Sequence, residues 1–163
     1  MRIAKTIEYS ASPDAVFAVL SDATFQEAKC AATAAIKHQA SVKTVGDRTV
    51  ITTQRTLPSD GLPDFAKSLV GDTLTVLETQ EWGPASADGS RQGTVEMAVS
   101  GAPLALRGTL SLRPGGAGTI ETLDSELKAK VPLIGGKIEK AAAPPIEAAI
   151  SVEHETALEW LAR

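Results

Sequence analysis

The chain has 163 residues, of which 43% are hydrophobic and 22% are charged, as in ordinary soluble globular domains. These proportions exclude the disordered and fibrous classes, and the length suits one domain with one core. The formal net charge of -4 argues against nucleic acid as the main partner, because phosphate binding requires clustered Lys and Arg and here these residues are dispersed. We therefore expect one domain over residues 1–163 that does not bind nucleic acid.

The cysteine content and the N-terminus bear on the cellular compartment. Cys30 is the only cysteine, so the chain has no internal disulfide framework and no thiolate-based zinc site. Charged residues interrupt the N-terminal apolar residues, so we do not expect a secretory signal. No apolar run reaches the ~18 residues that span a bilayer. We expect a cytoplasmic protein without an integral membrane segment.

The chain opens with a strand and helical sequence. Alternation from Ile3 to Tyr9 predicts a half-buried strand. Ser12-Pro13 is typical of the cap and first residue of a helix, and Ser21-Asp22 indicates a second short helix. The Ala-rich segment Cys30–Ile36 is ambiguous between a helix end and a strand.

The middle of the chain is a series of strand-like runs joined by short Pro/Gly turns, which imply antiparallel neighbours. The runs are Thr49–Leu57, Thr73–Trp82, Arg91–Ser100, Leu104–Arg113 and Thr119–Val131. Gly46-Asp47 predicts a hairpin turn before the first run, and Leu62–Val70 has the pattern of a short amphipathic helix that could act as a lid. Gly108 lies on the apolar face of its strand, which permits either a sharp bend or a close approach by the last helix.

The C-terminal segment has the pattern of a long helix. It follows a break at Pro132–Gly136 and reaches Arg163, with one apolar sector at about 100° per residue. The sector contains Ile138, Ala142, Ile146, Ala149, Ile150, Ala157, Trp160 and Leu161. Pro144-Pro145 predicts a kink or a break near Ala143, because proline removes backbone donors and clashes with the preceding turn.

This order of elements predicts an α+β fold in which a curved antiparallel sheet wraps around the long C-terminal helix, with two short helices after the first strand. The amino-acid sequence of Ile7–Asp22 and of Val131–Glu139 resembles that of the START-like (SRPBCC, helix-grip) superfamily, which includes the birch-pollen-allergen and polyketide-cyclase folds. Within it, the chain looks most like an uncharacterised bacterial branch defined as a domain of unknown function. The resemblance implies a hydrophobic small-molecule partner bound between sheet and helix, and in a minority of members cyclisation or hydration there.

The inward faces mix Leu and Val with Ala, Gly and Thr, which is compatible with a ligand cavity or with ordinary close packing of small residues. The residues predicted to bind a ligand are Leu74, Val76, Glu78, Trp82, Val95, Met97, Leu106, Leu110, Leu123, Ile138, Ile146 and Glu153. Trp82 is compatible with a place at the pocket mouth or in a buried corner. Phe65 and Leu69 on the lid segment are either gate residues or plain core.

Charged residues on apolar faces are the candidates for chemistry. Glu153 lies within the apolar sector of the last helix, where it is either a buried acid of raised pKa or the partner of a sheet Lys or Arg. Glu78 and Glu121 either face the pocket or lie at strand ends in water. Arg55 and Arg107 could anchor an acidic headgroup, and solvent exposure is the simpler alternative for both.

No residue pattern indicates a catalytic site, a cofactor or a metal. His38 and His154 lack a metal-ligand spacing, and Cys30 lacks a nucleophile signature. The leading hypothesis is a noncatalytic carrier or sensor of an apolar, lipid-like small molecule. The alternatives are a cyclase or hydratase that uses buried carboxylates, and a protein-interaction module with a filled core.

Overall fold

The computed structural model describes residues 1–163 and contains seven strands and four helices. The strands are β1 Arg2–Tyr9, β2 Lys37–Val45, β3 Arg48–Pro58, β4 Thr73–Trp82, β5 Arg91–Val99, β6 Leu104–Gly115 and β7 Gly118–Ala129. The helices are α1 Pro13–Leu20, α2 Ala23–Ala32, α3 Asp64–Val70 and α4 Gly135–Leu161. None of the four helices combines the length and the apolar composition needed to cross a membrane.

The seven strands form one antiparallel sheet in the order β1-β7-β6-β5-β4-β3-β2. Helix α4 packs on β7 and β1, and it also contacts α1 and α2. The fully buried Trp82 and Phe25 belong to the core between these layers. The structure therefore confirms the predicted α+β helix-grip architecture with its long C-terminal helix and two short helices after the first strand.

The two short helices begin where the sequence predicts. The Ser12 hydroxyl accepts a hydrogen bond from the backbone N–H of Ala15 at 3.2 Å, and Pro13 is the first helical residue. The Asp22 carboxylate accepts one from the backbone N–H of Thr24 at 2.7 Å. These bonds satisfy donors that a helix leaves free in its first turn, so local sequence fixes both starts.

Strand β2 is the element that the sequence did not reveal, apart from the hairpin turn predicted at its end. It lies at the edge of the sheet, and none of its residues is fully buried. Polar residues therefore occupy both faces and the period-two signal is lost. The ambiguous segment before it consists of the end of α2 at Ala32 followed by a turn in which Ala34 has a φ of 61°.

Helix α4 is continuous from Gly135 to Leu161, so of the kink or break predicted near Ala143 the break is wrong and the kink stays a prediction. Pro144 and Pro145 lie inside the helix, and each lacks the N–H that would bond to the carbonyl four residues earlier. Ala143 is nevertheless buried, as are Ile138 and Ala157 on either side. Packing against the sheet and the short helices thus outweighs the local cost of the two prolines.

Gly108 permits a close approach of neighbouring backbone, although not by the helix. A Cβ atom at this position would lie 2.3 Å from the carbonyl oxygen of Asp124 and 2.6 Å from Cα of Ser125, both on β7. Such distances are too short for any side chain to be accommodated against main chain. The glycine therefore allows the backbones of β6 and β7 to approach each other closely at this position.

Candidate functional site

A cavity of about 850 Å³ lies between the inner face of the sheet and α4. Of the 40 residues that line it, 26 are hydrophobic. Its size falls within the usual range for small-molecule sites, so close packing with a filled core does not describe this structure. The predicted site residues that line the cavity are Leu74, Val76, Glu78, Val95, Met97, Leu106, Leu110, Leu123, Ile138, Ile146 and Glu153.

Trp82 and Phe65 are the two predicted site or lid residues that do not line the cavity. Trp82 is fully buried in the core, with its ring centroid 5.9 Å from that of Phe17 in an edge-on arrangement. Phe65 is half-buried beneath the ammonium group of Lys137, 4.2 Å from the ring centroid. Leu69 does line the cavity and is 37% exposed, so a gating role for this segment stays a prediction.

Lys29 joins two of the predicted carboxylates inside the molecule. Its side chain is only 3% exposed, and Nζ lies 2.7 Å from Oε2 of Glu153 and 3.6 Å from Oε1 of Glu78. Burial disfavours the charged ammonium, but the two carboxylates outweigh burial and keep the pKa of Lys29 above its ordinary value. Glu153 is therefore ion-paired, and its partner comes from α2 rather than from the sheet.

Glu78 is held in place by a row of hydrogen bonds along β4. The side-chain Nε2 of Gln80 donates to Oε1 of Glu78 at 2.9 Å, and Nε1 of Trp82 donates to the side-chain Oε1 of Gln80 at 3.0 Å. Burial tends to raise the pKa of Glu78, but the charges of Lys29 and Arg55 outweigh burial and lower the pKa below its ordinary value. Glu78 is thus an ionised carboxylate in a fixed orientation.

Glu121 is the third carboxyl group at the cavity and has a different environment. It is 7% exposed, and its Oε2 accepts a hydrogen bond from the Tyr9 hydroxyl at 2.9 Å. Burial and repulsion by Glu153 raise the pKa of Glu121 to about 7, although the Tyr9 bond and Lys29 act in the opposite direction. Near neutral pH this group is poised between its two protonation states, as an acid-base catalyst would be.

The two arginines considered from the sequence have opposite environments. Arg55 is 5% exposed and lines the cavity, so the expectation of solvent exposure is wrong for it. Its Nη1 donates to Oγ1 of Thr33 at 3.3 Å, and Nη2 lies 4.0 Å from Oε2 of Glu78. Arg107 has a 76% exposed side chain and pairs with Glu96 on the outer face.

Lys29 is the residue of this site for which the sequence suggested no role. A weak signal existed, because Lys29 follows the buried Phe25 by four residues and therefore lies on the same face of α2. Arg55 carries a comparable signal in β3, where it alternates with the buried Ile51 and Thr53. In both cases the pattern marks an inward face without revealing what meets the charge.

The protein has a START-like, helix-grip fold with a cavity between the sheet and the long helix. The chain belongs to the family described as Protein of unknown function (DUF2505), whose model matches residues 5–161. Uncharacterized proteins of Mycobacterium tuberculosis and Mycobacterium bovis are 26% identical to it over 113 residues. That match covers 68% of this chain and 64% of those proteins, which is less than two thirds of their length.

Solved structures with low sequence identity share the fold. An aromatase/cyclase of a Streptomyces species, Zhui, has a TM-score of 0.61 at 12% identity, covering 100% of this chain and 94% of that protein. A START superfamily protein of Mycobacterium smegmatis has a TM-score of 0.57 at 17% identity, and the protein Ara h 8.0201 has 0.56 at 14%. Each of these two matches covers 98% of both chains. At such identities the likeness establishes the fold alone.

Proposed function

We propose that this protein binds or carries an apolar, lipid-like small molecule in the cavity between the sheet and α4, without catalysing a reaction. The observation that carries the proposal is the unfilled volume of about 850 Å³ with a predominantly hydrophobic lining. A ligand that covers this lining removes apolar surface from water, which contributes roughly 25 cal/mol per Å². The buried charges of Lys29, Glu78 and Arg55 stand at one part of the lining and orient the ligand.

The test is the binding of N-phenyl-1-naphthylamine, a neutral apolar fluorophore that brightens on leaving water. Leu110→Trp places a larger side chain in the cavity and is expected to weaken probe binding about tenfold or more, since lost contacts of ~1.4 kcal/mol correspond to tenfold in affinity. Leu77→Trp is the matched control, because Leu77 lies in the same sheet and is 45% exposed.

Two outcomes contradict the proposal. One is the absence of any fluorescence increase with the unmodified protein. The other is an equal loss of binding in Leu110→Trp and Leu77→Trp, which would place the probe outside the cavity. Far-ultraviolet circular dichroism of both variants establishes that each retains its fold.

A cyclase or hydratase is the second candidate function, and the carboxyl of Glu121 favours it. This group faces the cavity with a pKa of about 7, so it can donate or accept a proton at neutral pH. The Streptomyces aromatase/cyclase has a similar fold, which supports this function by analogy only.

Incubation with 3-decen-2-one tests the hydratase function, because addition of water across the C=C bond of this ketone gives 4-hydroxy-2-decanone. Turnover that Glu121→Gln abolishes supports this function, and recovery of unchanged ketone rejects it for this substrate class.

A cytoplasmic location forms part of the proposal. It is supported by the single cysteine, Cys30, which is buried as a free thiol. A chain with no disulfide is suited to a reducing compartment. Fractionation of the producing cell tests the location, and recovery outside the cytoplasm would contradict it.

A further inference from the structure

Arg55 is a buried cation that lines the cavity and whose guanidinium donors are not all paired within the protein. Its Nε–H is buried and has no hydrogen-bond acceptor in the protein. Nη1 donates a hydrogen bond to Oγ1 of Thr33. Nη2 lies 4.0 Å from Oε2 of Glu78, which is longer than a hydrogen bond. A buried donor without an acceptor is costly, and a guanidinium offers five N–H donors in a fixed plane. The side chain that lines the cavity is therefore incomplete without an acceptor from a ligand.

The surrounding charges select the kind of acceptor. Lys29 and Arg55 are the cations of the cluster, and the carboxylates of Glu78 and Glu153 balance them. Glu121 adds a third carboxyl group, already sensitive to the charge of Glu153. A ligand carboxylate would bring a further negative charge into this buried cluster without a cation to match it, which is unfavourable. A carbonyl, ester or hydroxyl oxygen would accept from Arg55 and leave the charge unchanged.

We propose that the ligand is an apolar molecule with one neutral oxygen acceptor that receives a hydrogen bond from the guanidinium group of Arg55. This inference rests on the proposed binding function and specifies the ligand class for the same cavity. The acceptor lies beside Arg55, whose partner across the strands is Val76, and the apolar body occupies the remainder of the hydrophobic lining. Ketones, esters and alcohols with long hydrocarbon parts satisfy this description, and free fatty acids do not.

The experiment is displacement of N-phenyl-1-naphthylamine by decane, 2-decanone and decanoate at neutral pH. The unmodified protein is expected to bind 2-decanone about tenfold or more tightly than decane, since hydrogen bonds to charged groups are worth about that factor. Decanoate is expected to bind less tightly than 2-decanone. Arg55→Met removes the donors and is expected to abolish the preference for the ketone over decane. Arg107→Met is the matched control on the outer face and is expected to retain the preference.

A second measurement does not depend on the stability of the Arg55→Met variant. In the unmodified protein, the ¹⁵N-¹H resonances of the Arg55 guanidinium group are expected to shift on addition of 2-decanone and to move little with decane. The shift reports directly on the donor that the inference assigns. An identical response to both compounds would overturn the assignment.

The outcomes separate this inference from the proposed function. Equal affinity for decane and 2-decanone, tighter binding of decanoate, or a ketone preference that persists in Arg55→Met would each overturn the inference while leaving apolar binding intact. A failure of the probe and of all three compounds to bind would overturn the proposed function itself.

Discussion

Replacement of Lys29 by methionine is expected to lower the free energy of unfolding by about 3–5 kcal/mol, the usual cost of removing one partner of a buried ion pair. The Lys29 side chain is 3% exposed, and its ammonium group is shared between Glu153 at 2.7 Å and Glu78 at 3.6 Å. Methionine has an unbranched apolar side chain of similar length, but it leaves the carboxylates of Glu153 and Glu78 without the positive charge of Lys29. Urea unfolding at neutral pH measures the change.

Lys5→Met provides the matched control for this prediction. Lys5 pairs with Glu147 at 2.8 Å, but both side chains are partly exposed, at 39% and 45%. A pair of this kind contributes only about 0–1 kcal/mol. Comparable destabilisation by the two variants would contradict the account of Lys29 as the centre of a buried charge cluster.

Replacement of Glu121 by glutamine is expected to change the pH dependence of stability. The pKa of Glu121 is raised from 4.5 to about 7, so the folded state favours the protonated carboxyl. The resulting stability is present below about pH 4.5 and is lost as the pH rises through about 7. Glutamine does not ionise, and the variant therefore gains stability relative to the unmodified protein across this window, by about 3 kcal/mol in total.

Urea unfolding at a series of pH values between about 4 and 8 measures this difference. Glu96→Gln, on the exposed outer face, controls for removal of a carboxylate as such. If the curves for the unmodified protein and Glu121→Gln stay parallel across the series, the pKa of Glu121 is not raised. The second candidate function would then lose the observation that favours it.

Much of the fold could be predicted from the sequence because local signals agree with the tertiary structure. Ser12 and Asp22 cap their helices as their side-chain chemistry requires, and β4 occupies the range that its alternation predicts. The errors arise where packing or solvent overrides such signals. Strand β2 lies at an edge and lacks alternation, whereas α4 continues through Pro144-Pro145 because its neighbours hold it.

The apolar lining of the candidate site could be predicted from the sequence, whereas the pairing of its buried charges could not. Alternation identifies which face of a strand points inward, and the predicted aliphatic residues of the strands line the cavity for that reason. It does not give the extent of the cavity along a strand, so Trp82 shares a face with Glu78 and yet packs on Phe17 in the core. The pairing of Lys29 with Glu153 joins residues 124 positions apart, which no local pattern specifies.

Native mass spectrometry of the purified protein, followed by solvent extraction, tests most directly whether the cavity holds an apolar molecule. We expect a mass above that of the bare chain and an extracted hydrocarbon-rich compound that is lost in Leu110→Trp and retained in Leu77→Trp. The bare mass alone, unchanged after incubation with a mixed lipid extract, would contradict this expectation.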